Sequence, residues 1–204
     1  MAYASVFFAI TAYIIGSIPF GKLIAAYVAH IDITRRGSGN IGATNVAREI
    51  GMKWGIITLI LDMLKGFLPM VAFSLYAPGS GTAHEGALAS IGLCALLGHM
   101  FPLFLKFRGG KGVATALGVY LAISPLSILF GLILFVLVVA IGKFVSLGSM
   151  ICACAIPLFL TLFDKPPPFI AASVVMAILI CWKHRENIHR LLRGEEPKWK
   201  DPKH

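Results

Sequence analysis

Apolar residues run almost unbroken through 2–29, 54–77, 83–105, 113–123, 126–142, 148–163 and 168–182, and polar residues collect between these runs. A soluble core instead interleaves apolar and polar positions at a period near 3.6 or 2 residues. As helix, roughly 20 apolar residues cross a hydrocarbon core about 30 Å thick. The stretch 113–142 is the ambiguous one. As a single helix it would reach about 45 Å at 1.5 Å per residue, too long for such a core. Pro125 disfavours helix at Ser124, so a hairpin of two short helices turned at Ser124-Pro125 is expected. The first run has no basic leader, its first cation being Lys22. It reads as a first span, not a cleaved signal peptide.

Composition agrees with the pattern. Of 204 residues, 58% are apolar and 13% charged, against about 25% charged in an ordinary soluble domain. A soluble domain is excluded, and no length remains for a separate extramembrane one. The expectation is a single all-α polytopic membrane unit over residues 1–204.

The net charge of +9 would suggest nucleic acid on a soluble protein. On a membrane protein it reads as cations facing the cytoplasm or as a site for anions. With seven spans and the N-terminus outside, 15 of the 18 Lys and Arg fall on the cytoplasmic side. They are Arg35, Arg36, Arg48, Lys53, Lys106, Arg108, Lys111 and Lys143, followed by Lys183, Arg185, Arg190, Arg193, Lys198, Lys200 and Lys203. Six spans would put the basic tail outside, against the orientation rule. Seven spans with a cytoplasmic C-terminus are therefore expected. Trp54 and Trp182 fall at span edges as interfacial anchors, and Pro166-Pro167-Pro168 reads as a rigid outer turn. Cys94, Cys152, Cys154 and Cys181 lie inside apolar runs and read as small hydrophobes.

The candidate chemistry lies in the inner segments. After the first span comes Gly37-Ser38-Gly39-Asn40-Ile41-Gly42-Ala43-Thr44-Asn45-Val46-Ala47-Arg48. It formally matches G-x-G-x-x-G, but a membrane span precedes it where a dinucleotide fold needs a strand. What transfers is the mechanism: glycines let backbone N–H groups approach an anion, and Ser38, Asn40, Thr44 and Asn45 add neutral donors. The second segment, Lys106-Phe107-Arg108-Gly109-Gly110-Lys111-Gly112, resembles half of a phosphate loop. It has Gly112 where a Walker motif needs Ser or Thr, so nucleotide hydrolysis is not expected. A glycine-rich turn with a lysine at a helix start still suits phosphate. Asp62 and Lys65 share a helix face in the second span and read as a structural ion pair bordering the site. His99 is either a site wall or a hydrogen-bonded helix-end histidine. The tail from Lys183 reads as an amphipathic basic helix on which His184 and Asn187 share a face. Ser146 and Ser149 share spacing in the inner loop before the sixth span.

Three segments together resemble the bacterial acyl-phosphate:glycerol-3-phosphate acyltransferase family. They are Gly37-Ser38-Gly39-Asn40 through Arg48, Gly98-His99 and Pro102 through Gly112, and Lys183-His184 with Asn187-Ile188-His189-Arg190-Leu191-Leu192-Arg193-Gly194. The resemblance implies acyl transfer from acyl phosphate to the 1-hydroxyl of glycerol 3-phosphate, giving lysophosphatidate and phosphate. It implies a bacterial plasma-membrane enzyme with a cytoplasmic site, a lipid-embedded monomer that uses neither acyl-CoA nor acyl carrier protein. No cofactor, metal or nucleic acid is expected; Asp and Glu are too few and scattered for a divalent site. No histidine has an aspartate five positions on, and there is no G-x-S-x-G elbow or placed cysteine nucleophile. An activated donor needs none: positioning, charge stabilisation and removal of one proton suffice.

On this reading Ser38, Arg48, Lys111, His184 and Asn187 are catalytic, and Gly39, Asn40, Thr44, Asn45, Gly109, Gly110 and Ser149 bind substrate. Ser38, Arg48 and Lys111 hold phosphate oxygens, and glycine N–H groups of both loops meet the developing oxyanion. Asn45, Ser149, His184 and Asn187 orient the glycerol hydroxyls. The base is either His184, with an ordinary pKa near 6.5, or a substrate phosphate. The rival reading is a small-anion transporter, which predicts polar residues near the midplane and inverted repeats. Only Asp62 and Lys65 speak for it. A structural anchor leaves the glycine-rich loops unexplained.

Overall fold

A computed structural model of the chain describes residues 2–199, so the tail cations Lys200 and Lys203 lie outside the described residues. Ten α-helices occur among the described residues: α1 (Ala2–Gly16), α2 (Phe20–Ala29), α3 (Ala43–Ile50), α4 (Met52–Tyr76), α5 (Thr82–Met100), α6 (Val113–Ile123), α7 (Pro125–Gly142), α8 (Val145–Leu162), α9 (Pro167–Lys183) and α10 (Arg185–Leu192). Short 3-10 turns cover Ile33–Arg35 and Leu103–Leu105. The chain divides into two compact units, Met1–Ala122 and Ile123–His204.

Five segments are long and apolar enough to cross a membrane: Ala2–Ala29, Met52–Tyr76, Thr82–Leu105, Pro125–Gly142 and Val145–Leu162. The pair α9 and α10, bent by 57°, makes a sixth if taken as one span. Helix α6 has 11 residues, about 16 Å of helix at 1.5 Å per residue. The run 2–29 is not one continuous helix. Pro19 has no N–H for the Ile15 carbonyl and breaks the ladder, so the chain is non-helical at 18–19 and resumes as α2. Near 124 the chain also divides into two helices. The Ser124 hydroxyl accepts the Ser127 N–H at 3.3 Å and the Ser127 hydroxyl at 2.8 Å, capping α7 inside an apolar setting.

The exteriors are apolar. Phe7, Leu137, Leu158 and Ile141 are all exposed, which suits lipid and not water. The buried faces combine large apolar side chains such as Phe73, Ile91 and Leu96 with polar ones and with glycines at the helix crossings, because lipid gives apolar helices no reason to prefer one another over acyl chains. In the first unit, Gly16 rests on the Ala95 carbonyl and Gly98 on the Tyr13 carbonyl near the C-terminal ends of α1 and α5, while Phe8 and His84, nearer their N-terminal ends, both pack on Phe73, so the two helices run parallel. Helix α4 is antiparallel to α5: Asp62 lies beside His99, and Phe73 stacks on His84 at 5.4 Å. Helix α6 starts at Gly112 beside Met100 and reaches Gly92 through Val119, also antiparallel to α5. Gly66 and Gly118 seat α6 directly on α4.

In the second unit, Gly131 faces Ile156 while Gly148 faces Val139 and Phe135, making α7 and α8 antiparallel. The four cysteines are free thiols, and Cys154 and Cys181 sit 3.6 Å apart across α8 and α9.

These crossings make a sharp prediction. A Cβ on Gly118 would run into the Met63 carbonyl, whereas one on Gly86 meets nothing within 4 Å. Gly118→Ala should lower stability by about 1–3 kcal/mol, the usual cost of overpacking, read as a lower melting midpoint in detergent. Gly86→Ala should leave the midpoint unchanged or raise it. Equal midpoints for the two variants would refute the close α4–α6 crossing.

Candidate active site

The first glycine-rich loop is seated on an apolar cluster of Ala25, Ile33, Ile41 and Val46, all buried. Leu105, from the turn that leads into the second loop, packs against the same cluster. The two loops are thus neighbours in the first unit. Asp32 opens the first loop, accepting from the Thr34 hydroxyl at 2.8 Å and the Thr34 N–H at 3.1 Å. Gly37 and Gly39 have φ of +53° and +67°, a region that side chains other than glycine rarely adopt.

Asn45 is the hub of this loop. Its Oδ1 accepts the Ser38 N–H at 3.0 Å, and its Nδ2 lies 2.8 Å from the Asn40 carbonyl, 3.1 Å from that of Arg36 and 3.4 Å from that of Ile33. The side chain is buried, and its hydrogen-bonding capacity goes to the loop itself. These bonds give Asn45 a part in building the loop that its expected role at the glycerol hydroxyls did not include. Asn40 accepts the Gly42 N–H at 2.8 Å, and the Gly39 N–H donates to the Arg36 carbonyl at 2.8 Å. Helix α3 then starts at Ala43 with Gly42 as its cap, which brings no side chain to its first N–H groups. Thr44 lies in that first turn. Ser38 and Arg48 are exposed, Ser38 on the loop and Arg48 on α3.

The second loop is built differently from expectation. The Gly109 N–H donates to the Met100 carbonyl at 3.2 Å and the Gly110 N–H to the His99 carbonyl at 3.1 Å. These amides terminate α5, whose last carbonyls would otherwise lack donors, and do not point at an oxyanion. The glycines are needed because the loop comes so close: a Cβ on Gly109 would strike the His99 carbonyl and Pro102, and one on Gly110 the imidazole of His99. Tyr13 donates to the Phe101 carbonyl at 2.8 Å, completing the cap. Gly112, at φ +83°, turns the chain into α6. Half-buried Lys111 lies between the capped helix end and the new helix start.

Beneath this loop, Lys65 Nζ is 2.8 Å from Asp62 Oδ1, and His99 Nδ1 is 3.7 Å from the same oxygen. All three side chains are buried. Asp62 and Lys65 do form the ion pair that their spacing suggests. His99 is added to it by the fold, so His99 acts as a wall beneath Gly110.

In the second unit, His184 sits at the 57° bend between α9 and α10. Its Nδ1 is 2.8 Å from the Ile180 carbonyl. A carbonyl only accepts, so Nδ1 carries the hydrogen and Nε2 of the neutral ring is the basic nitrogen. Asn187 donates to Glu196 Oε1 at 2.6 Å; the Ser146 hydroxyl donates to the same oxygen at 2.6 Å, and Arg190 Nε to Oε2 at 2.8 Å. The Trp199 N–H donates to the Lys143 carbonyl at 2.7 Å, folding residues 194–199 back on the start of α8. Burial opposes the Glu196 charge, but the donors Ser146, Asn187 and Arg190 outweigh it and hold its pKa below the usual glutamate range. Sequence reasoning missed Glu196. Its partners are 50, 9 and 6 residues away, and no local pattern announces it. The Ser149 hydroxyl donates to the Val145 carbonyl at 2.9 Å, one turn beyond Ser146. Among the described residues no three of His, Cys, Asp and Glu gather as metal ligands.

The Asn45 geometry can be tested directly. Asn45→Asp would turn a donor into a carboxylate facing three carbonyls, at about 1–3 kcal/mol for each unsatisfied group. It should abolish activity and expose residues 33–42 to protease, with Asn45→Ala milder. A residue that merely orients a substrate hydroxyl would tolerate Asp, which still accepts a hydrogen bond.

A family model described as glycerol-3-phosphate acyltransferase matches residues 6–194. The glycerol-3-phosphate acyltransferase of Geobacter sulfurreducens is 49% identical over 189 residues, covering 93% of this chain and 94% of the relative. That of Aquifex aeolicus is 42% identical over 195 residues, covering 96% and 99%. Two crystal structures of PlsY (YgiH), an integral membrane glycerol 3-phosphate acyltransferase, are each 41% identical to this chain. The glycerol 3-phosphate form superposes with a TM-score of 0.89, the lysophosphatidic acid form with 0.87, each covering 95% of this chain and 94% of the other. Two glycine-rich loops on one apolar seat, a bent helix end bearing a buried histidine, and nearly full-length similarity have one common source: the chain belongs to the glycerol-3-phosphate acyltransferase family.

Proposed function

We propose that this chain transfers a fatty acyl group from acyl phosphate to the 1-hydroxyl of glycerol 3-phosphate, releasing lysophosphatidate and inorganic phosphate for phospholipid synthesis. The observation that carries the reading is the shared seat of the two loops, which sets Ser38, Arg48 and Lys111 on adjacent segments. With the Gly109 and Gly110 amides tied to α5, phosphate recognition falls to these side chains and to the first turn of α3. Charge-assisted bonds from Arg and Lys are the strong ones for phosphate. The glycerol oxygen attacks the acyl carbonyl carbon, the bond from that carbon to the phosphate oxygen breaks, and the proton leaves to a base. His184 Nε2 serves as that base, or a substrate phosphate does. Asn187 and Ser149 orient the hydroxyls, with Gly39, Asn40 and Thr44 lining the phosphate side. Acyl phosphate is already activated, which fits a chain without a placed nucleophile.

Arg48→Ala and Lys111→Ala should each lower phosphate release by roughly 10- to 100-fold, the worth of one charge-assisted contact, with the protein still folded. The assay is purified protein given acyl phosphate and glycerol 3-phosphate. His184→Ala decides the base: near-normal turnover favours the substrate phosphate, and loss restored at higher pH favours the imidazole. Wild-type protein that released no phosphate but moved anions into liposomes would replace the reading with a transporter.

The finer topology belongs to the same proposal: seven spans, N-terminus outside, site and C-terminus on the cytoplasmic side of a bacterial plasma membrane, working as a monomer. The antiparallel courses of α4, α5 and α6 support it. Helix α6, though about 16 Å long, runs from the C-terminal end of α5 toward its N-terminal end, as a fourth span must. Cysteines introduced at residue 80 and residue 194 should label from opposite sides of intact membranes. Labelling of both from one side would overturn the seven-span count.

A further inference from the structure

The break in α1–α2 and the second glycine-rich loop are joined through the interior of the first unit. Lys65 Nζ lies 2.9 Å from the Ile18 carbonyl, the acceptor exposed by the break before Pro19. The same ammonium stands 5.5 Å from the centre of the Phe20 ring, at the start of α2. Helix α2 in turn bears on the first loop, since a Cβ on Gly21 would strike the Ile41 carbonyl and crowd Val46. At the other end Asp62 faces both Lys65 and His99, and His99 fills the space under Gly110, next to Lys111. A continuous path of direct contacts therefore runs from the first loop through α2, Lys65, Asp62 and His99 to the second.

We propose that Asp62 and Lys65 are positioning residues for the acyl transfer, an ionic strut that fixes the two phosphate-handling loops in one register. The inference rests on the acyltransferase reading of those loops. Energetics favour a role beyond packing. Taking two charges out of water costs several kcal/mol per ion, and a neutral, well-packed pair is often equally or more stable. A charged pair inside a membrane helix is a functional suspect for the same reason. What the pair supplies that apolar residues cannot is direction. Lys65 must reach both a carbonyl and a carboxylate, and Asp62 must face both an ammonium and an imidazole. Shortening or turning either side chain releases one loop relative to the other. Neither residue touches substrate; each acts through Arg48 and Lys111 by way of the loop backbones.

The test is the neutral double variant Asp62→Asn/Lys65→Met, assayed beside wild type with acyl phosphate and glycerol 3-phosphate. The expected result is wild-type yield and melting midpoint, with KM for glycerol 3-phosphate raised about tenfold and kcat little changed, the signature of lost uniform binding. A folded double variant with wild-type KM and kcat would overturn the strut and leave a packing pair. Should the double variant fail to reach the membrane, His99→Gln decides, because it leaves both charges paired. A tenfold KM increase in that variant supports the path, and wild-type kinetics overturn it. Wild type without turnover would defeat the acyltransferase reading itself, an outcome distinct from either result for the variants.

Discussion

A backbone carbonyl or amide inside a membrane must find its partner within the protein, because lipid offers none. Most of the first unit follows from that constraint. At the break before Pro19 the Ile18 carbonyl accepts from the Phe20 N–H at 3.1 Å and from Lys65 at 2.9 Å. A buried ammonium then requires a counter-charge, which Asp62 provides. The C-terminal end of α5 poses the same problem on a larger scale. Gly109, Gly110 and Tyr13 answer it with three donors to His99, Met100 and Phe101. The first loop solves it through Asn45, whose one amide group serves three carbonyls.

Close helix packing supplies the rigidity that makes these bonds hold. Glycines at 16, 66, 98 and 118 let helices meet backbone to backbone, the kind of contact available when apolar attraction between helices is absent. The loops inherit their positions from helices that cannot slide without collision. In the second unit the same economy of polar groups appears around Glu196. One carboxylate gathers Ser146, Asn187 and Arg190, so the start of α8 and the whole of α10 are tied to the tail. Because Glu196 only accepts, it draws the Asn187 NH2 toward itself and turns the amide oxygen the other way.

Much of this was legible in the sequence, for physical reasons that also mark where legibility ended. Helix extents follow the apolar runs because a crossing leaves few other solutions, and Pro125 marks the division near 124. The break at Pro19 is harder to see. The run stays long and mostly apolar through it, so that only the missing N–H of Pro19 and its small or polar neighbours Gly16, Ser17 and Gly21 betray it. The loops were recognisable as small, polar and cationic, and the i,i+3 spacing of Asp62 and Lys65 announced their pairing. Which amide bonds to which carbonyl was not legible. Gly109 and Gly110 read as a cradle because a glycine's composition is the same whether it approaches a ligand or a helix end. Asn45 read as a substrate contact for a similar reason. Glu196 and the Asp62–His99 approach depend on residues distant in sequence, and only the fold brings them together.

The inward use of backbone donors has a consequence for how such an enzyme handles charge. A phosphate loop of the nucleotide-binding kind spreads its recognition over many amides, each a partial charge on a fixed frame. Here the second loop spends the amides of Gly109 and Gly110 on α5, and the first spends those of Ser38, Gly39 and Gly42 on itself. On the proposed function, electrostatic attraction for phosphate is then concentrated in whole charges at the ends of flexible side chains, Arg48 and Lys111. Such charges are strong beside a low-dielectric membrane, yet they discriminate poorly unless their stems are held. The rigid, self-satisfied loops are what hold them. On the same proposal, recognition by two anchored cations and one helix turn leaves the leaving phosphate less enclosed by backbone than a nucleotide-binding loop would, which suits a reaction whose product must depart from the same site into water.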